Sequence, residues 1–202
     1  MKKNKISKNW VIKKNRDLSY KKSKLFGFRS RSAFKLIELE KKFKFLKEKT
    51  SLLDLGCSPG GWSQVARKKI IKGKIMSIDI KNMENIDKVN FLQSDLFNPN
   101  IEKIVLGYFN KKIDVVVSDM AANTTGNKNL DSYKTGELCL RAMQIAKNLI
   151  NNNGVFISKV FMGAIFLEIQ EKAKRDFKKV VKFKPLSSKS DSKEIYIYCK
   201  GV

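Results

Sequence analysis

The chain has 202 residues, with 43 Lys plus Arg against 19 Asp plus Glu, no His, and a formal charge of +24. The length suits one domain of ordinary size, and 42% hydrophobic residues with 13 Phe exclude a disordered polycation. The missing His excludes imidazole general bases, Ser-His-Asp triads and His-ligated metals, so acid–base chemistry falls to Lys, Asp, Glu, Tyr or Cys.

The sign of the charge points to a polyanionic partner. A surplus of Lys, Asn and Ile also follows from AT-rich codons, so charge alone does not choose between the two origins. Cys57, Cys139 and Cys199 make no CxxC pair, which argues against a disulfide framework and against a zinc site. No apolar run approaches the roughly 18 residues of a membrane span. The N-terminus is basic but lacks the apolar stretch of a secretory signal. The expectation is a cytoplasmic protein with no metal and no membrane partner.

Along the chain, residues 1–24 hold nine Lys and one Arg against Asp17, with Trp10 and Tyr20 interspersed. They read as the larger part of a basic arm, residues 1–30, able to lie along a nucleic-acid backbone. Residues 31–202 then form a single catalytic domain. Phe34, Ile37, Phe43 and Leu46 have the spacing of an amphipathic helix over about 31–48, with Ser30 or Ser32 as its N-cap. Strands follow at 51–56, 74–80, 89–93, 113–119 and 154–161, with helices at 60–71, 131–152 and 164–175. Asn153-Gly154 reads as the stop of the long helix. Two further strands, FKKVVKFK and EIYIYCK, lack a helix between them and read as an antiparallel pair at one end. Strands alternating with helices predict an α/β fold, a mostly parallel seven-stranded sheet with helices on both faces.

The segment Asp54-Leu-Gly56-Cys57-Ser-Pro59-Gly60-Gly61-Trp62 takes a first strand into a glycine turn and then a helix, where a nucleotide-type ligand binds in a doubly wound sheet. The glycines do not make GxGxxG, and Gly-Lys-Ser/Thr is absent, which weakens hydride and phosphoryl transfer alike. Asp79 ends the second strand, where a carboxylate accepts ribose hydroxyls. Ser94-Asp95 ends the third, and Asp119 ends the fourth beside the crevice.

DLGCSPGGWSQ, DMAAN at 119–123, SKVF at 158–161 and SKEIY at 192–196 closely resemble the RrmJ/FtsJ ribosomal RNA 2′-O-methyltransferases, in order, from about Lys24 to Val202. The resemblance implies a Rossmann-like fold binding S-adenosylmethionine, with Gly60, Trp62, Asp79, Asp95 and Asp119 as cofactor contacts. Cys57 and Ser58 stand where small residues are common in the family. The resemblance also implies a catalytic tetrad of Lys35, Asp119, Lys159 and Glu194. The residues give their own reason to look there, because Lys159 lies in the apolar run VFISKVF, where a charge is costly unless paired.

Methyl transfer to a ribose hydroxyl is an in-line displacement, and Lys159 suits it either as a general base or as an ammonium that orients the 2′-oxygen. Lys35 would favour a neutral Lys159, and Asp119 and Glu194 a charged one. Amine methylation generally uses [Asp/Asn]-Pro-Pro-aromatic where this chain has Asp119-Met-Ala-Ala, and carbon-5 methylation needs a nucleophilic Cys, usually after Pro, a setting none of the three has. The leading expectation is therefore methylation of a uridine 2′-hydroxyl in the A-loop of 23S rRNA, within the large ribosomal subunit. The enzyme would work as a monomer, with no DNA partner. A tRNA or mRNA-cap substrate, or a non-catalytic RNA-binding assembly factor, are the alternatives.

Overall fold

The computed structural model describes residues 18–123, 125–163, 165–189 and 192–202. Of the expected basic arm, residues 1–17 lie outside the described residues, and α1 (Leu18–Leu25) occupies part of the rest. The order then runs α2 (Ala33–Phe43), β1 (Leu52–Leu55), α3 (Gly61–Lys69), β2 (Ile75–Asp79), β3 (Val89–Gln93), α4 (Ile101–Phe109) and β4 (Ile113–Ser118). It closes with α5 (Lys128–Leu149), β5 (Ile150–Phe161), α6 (Phe166–Asp176), β6 (Lys179–Phe183) and β7 (Glu194–Lys200).

The seven strands form one sheet in the order β3-β2-β1-β4-β5-β7-β6. β7 runs antiparallel to both neighbours, β5 and β6, and the remaining pairs are parallel. The terminal antiparallel pair is present, with β7 inserted between β5 and β6. Side-chain alternation divides the core in two. Leu53, Leu55, Val116, Phe156 and Val160 face α4, α5 and α6. Leu52, Val115, Val117, Ile157, Tyr196 and Tyr198 face α2 and α3. By the same parity Asp119, Lys159 and Glu194 belong to the α2/α3 face.

Three boundaries differ from the periodicity. α2 stops at Phe43 rather than near 48, because Lys44 is left-handed (φ 51°) and its N–H bonds the Glu40 carbonyl. The buried Glu40 carboxylate then accepts the N–H groups of Phe45 (3.0 Å) and Leu46 (2.9 Å), so both enter the core from a non-helical segment. Ser32 is the N-cap residue, but its hydroxyl meets Ser30 Oγ (2.7 Å) and caps nothing. α5 begins at Lys128, where the Asn127 side chain accepts from Asn129 N and Leu130 N, and it ends at Leu149. Asn151 and Asn152, expected inside that helix, and Asn153-Gly154, expected to close it, lie in the first part of β5 instead, and the β4–β5 register shifts between Ile113 and Val115.

Candidate active site

The glycine turn after β1 is built for close approach. Gly56 has φ +75°, and a Cβ there would lie 2.1 Å from Met120 Cγ; one on Gly61 would lie 2.2 Å from Ser30 Oγ. With the ends of β2, β3 and β4 this turn encloses a cleft of about 430 Å³. Asp79, Asp95 and Asp119 all line it. Asp79 holds the turn by accepting Ser58 N (2.9 Å) and Lys81 N (2.8 Å), and Asp95 accepts Phe97 N (2.9 Å). A carboxylate has about four acceptor positions, so both keep capacity for a ligand.

Gly60 and Trp62 stand beside the cleft rather than on its wall. Gly60 has φ +108° and backs onto Arg29 and Met83. The Trp62 ring is buried, its Nε1 donates to the Ser32 carbonyl (2.8 Å), and it lies 5.7 Å from the Tyr196 ring. Arg29 ties the same region from outside. Its N–H donates to Gln64 Oε1 (2.8 Å), and its guanidinium donates to the carbonyls of Glu84 (2.6 Å) and Asn85 (2.8 Å).

Next to the cleft, four elements bring Lys35, Asp119, Lys159 and Glu194 together. Lys159 Nζ lies 3.1 Å from Asp119 Oδ1 and also donates to the Asp119 backbone carbonyl. Lys35 Nζ, from α2, lies 2.6 Å from Glu194 Oε1. Lys35, Lys159 and Glu194 are only 6%, 7% and 8% exposed, so each ion depends on its partner. Burial alone would raise the Asp119 carboxyl, but Lys159, Lys35 and the Tyr196 hydroxyl bond hold it below the ordinary carboxylate value.

Three further residues contribute: Tyr196 closes SKEIY, Asp54 opens DLGCSPGGWSQ, and Ser188 lies in no motif. Tyr196 pairs across the sheet with Lys159, donates to Asp119 Oδ1 (2.6 Å) and places its ring 5.8 Å from Lys35 Nζ. Burial, with Asp119 and Glu194 nearby, drives its own hydroxyl far above 10. Ser188 donates to Glu194 Oε1 (2.8 Å), and its loop is pinned where Glu38 accepts Leu186 N (2.6 Å) and Ser187 N (3.0 Å). Asp54, under the glycine turn, accepts from Ser63 Oγ (2.6 Å), while its Oδ1 has no partner. Burial pushes its carboxyl up to about 7, helped by Asp119 and Asp79 and opposed by the Ser63 bond. The strand alternation that puts Tyr196 beside Lys159 was a readable signal; the Ser188 loop had none. Among the described residues no cluster of His, Cys, Asp and Glu could hold a metal ion.

The sheet, its glycine turn and a cleft at the carboxyl ends of the strands define a methyltransferase of the Rossmann-like type. A methyltransferase from Streptococcus mutans, solved in complex with SAH, shares the fold, with a TM-score of 0.54, 10% identity, and 85% of this chain and 96% of that one covered. A crystal structure from Plasmodium falciparum, provisionally named a ribosomal RNA methyltransferase, is nearer. Its TM-score is 0.77 and its identity 36%, covering 86% of this chain and 98% of that one. The FtsJ-like methyltransferase family model matches residues 28–202, and the chain belongs to that family. Ribosomal RNA large subunit methyltransferase E of Pelagibacter ubique is 46% identical over 200 residues, covering 99% of this chain and 98% of that protein.

Proposed function

We propose that this methyltransferase acts on RNA of the large ribosomal subunit, transferring a methyl group from S-adenosylmethionine to the ribose 2′-hydroxyl of a uridine in the 23S A-loop. The observation that carries the reading is that Asp119 both lines the cleft and pairs with the buried Lys159. Proximity to the cleft is thus built into the tetrad. The high identity to a large-subunit rRNA enzyme supports the choice of substrate. Residues 31–202 would be the catalytic domain, and the basic residues of 1–30 would grip phosphates. The enzyme would work as a cytoplasmic monomer, where subunits are assembled.

The cleft residues fit the methyl donor. Asp79 would take its ribose hydroxyls, Asp95 its base edge, and Gly56 gives the close backbone approach. Gly60 and Trp62 would contribute by fixing the turn. The donor supplies an electrophilic methyl group on a sulfonium. This chain must hold the 2′-oxygen in line with that methyl and deal with the hydroxyl proton. Asp119 engages Lys159 Nζ twice, leaving one position on the nitrogen. A lone pair there takes the hydroxyl proton, whereas a hydrogen there steers the oxygen. The Lys35–Glu194 pair packs against the same site and positions it.

Unmodified large subunits incubated with the protein and labelled methyl donor should acquire label on a ribose 2′-oxygen. Lys159→Ala should cut transfer by roughly 10²–10⁴-fold, the range of a lost acid–base group. Label on a base, or full transfer by the variant, would refute the chemistry. Label appearing only on tRNA or on capped mRNA would refute the substrate.

A further inference from the structure

A second concavity, of about 940 Å³, lies at the other end of the sheet, where α2 ends and β4 and β5 begin. Lys44, Lys47, Lys49, Lys111, Lys112 and Lys200 line it, and all six are exposed. Among the described residues none of the six forms an ion pair, a trait they share with exposed lysines elsewhere such as Lys88, Lys103 and Lys174; what sets them apart is their convergence on one concavity.

The one acid in the concavity offsets a single charge and forms no ion pair with them. Asp114 Oδ2 accepts Ser51 N (2.8 Å) and Ser51 Oγ (2.7 Å), and its Oδ1 accepts Asn151 Nδ2 (2.8 Å). It therefore serves as a staple between β1, β4 and β5. A compositional excess of lysine would raise the charge everywhere, but it would not withhold free acids from one concave face. Like charges converging on a cleft favour an anion there, and phosphates repeated along a strand match a row of exposed lysines. Three buried apolar residues, Phe45, Val115 and Val155, also line it, with Thr50 and Asn151 to Asn153 among the polar ones.

The spacing selects a macromolecule. β5 runs from Val155 in this cleft to Lys159 in the tetrad, four residues at about 3.3 Å each, or roughly 13 Å. Residues 151–154 bulge at the register shift against β4 and add little to that length. A single phosphate cannot touch both places, but a strand of about four or more stacked nucleotides at ~3.4 Å each can. We propose that this lysine cleft is a second phosphate-docking surface for the substrate RNA, holding a part remote from the methylated nucleotide. The inference rests on the reading that the substrate is RNA.

The test compares Lys47→Gln/Lys49→Gln/Lys111→Gln with a control of equal net charge, Lys88→Gln/Lys103→Gln/Lys174→Gln, whose lysines are exposed elsewhere. Binding of the full-length protein to large-subunit RNA is titrated at several salt concentrations, and methyl transfer gives KM and kcat. Urea unfolding of each variant confirms that it is folded. The cleft variant should bind about 10- to 100-fold more weakly at moderate salt, and its salt slope should fall by about 0.7–0.9 per lysine removed. Its KM should rise while kcat at saturating RNA and affinity for the methyl donor stay as in the parent. Equal losses in both variants, or no loss in the cleft variant while the parent methylates RNA, would overturn the docking surface and leave the function standing. A parent that neither binds nor methylates this RNA would overturn both.

Discussion

Replacing Asp54 with Asn isolates the cost of one buried carboxylate. Asp54 is 1% exposed, takes one bond from Ser63 and leaves Oδ1 unpartnered. Its carboxyl is pushed from the ordinary 3.8 up to about 7, chiefly by burial. Between those values the folded protein keeps a proton that the unfolded chain has released, so stability falls as pH rises from about 4 to 7 and levels off above. At 1.36 kcal/mol per pH unit the full penalty is roughly 4 kcal/mol, of which about 2 kcal/mol falls between pH 5.5 and 8. Asn keeps an acceptor for Ser63 and removes the charge, but its amide N–H₂ meets the unpartnered position at a cost of about 1–3 kcal/mol. The variant should therefore gain about 1–3 kcal/mol over the parent at pH 8 and almost nothing at pH 5.5. The absence of His keeps the background quiet in this window. Urea unfolding followed by Trp fluorescence reads a 2 kcal/mol change as a midpoint shift on the order of 1 M. Parallel pH profiles for parent and variant would refute the buried, strained carboxylate.

Tyr196→Phe removes the hydroxyl that donates to Asp119 at 2.6 Å. Loss of this bond to a charged group should cost about 1.5–3 kcal/mol in unfolding experiments, and methyl transfer should lose kcat more than affinity for RNA. Gly56→Ala puts a Cβ 2.1 Å from Met120 Cγ at a φ of +75°. It should weaken calorimetric binding of the methyl donor and cost about 1–3 kcal/mol of stability, with Met120→Ala restoring only the steric share. Burial raises the thiols of Cys57, Cys139 and Cys199, with Cys139 reaching about 12. A thiol reagent at pH 8 should therefore label none of them in the folded protein and all three after unfolding.

The strands were legible because buried parallel strands are short apolar runs, and LLDL, IMSID and IDVVVS stand out between glycines and charges. The gathering of Asp119, Lys159 and Glu194 with Lys35 was legible through the family resemblance, with the first three inside DMAAN, SKVF and SKEIY and Lys35 outside the quoted motifs. Other features were hidden for definite reasons. α4 is nine residues with Gly107 inside it, although Ile101, Val105 and Phe109 do fall on one buried face. α1 has almost no apolar face, with five of its eight residues Lys or Ser beside two Leu and a Tyr. The early stop of α2 depends on Glu40 bonding to residues five and six positions ahead, a contact that periodicity does not encode. The start of β5 at Ile150 depends on Asn151 reaching Asp114 on another strand. The roles of Ser188 and Glu38 likewise exist only once β7 is inserted beside β5.

The stitching of residues 28–32 to the glycine turn has a thermodynamic corollary. Arg29 grips Gln64, Glu84 and Asn85 and reaches the Pro59 carbonyl, and the Ser32 carbonyl holds Trp62, so the segment leading into Lys35 shares its order with the glycine turn beside the cleft. A ligand that draws the Arg29 guanidinium toward its own phosphates loosens that turn; a ligand that settles the turn fixes Arg29. By linkage the two effects are equal, and a coupling of about 1–3 kcal/mol would change each affinity by about 5- to 150-fold. Arg29→Lys, which keeps the charge and loses the fork, would then separate the two binding equilibria without touching a reacting atom.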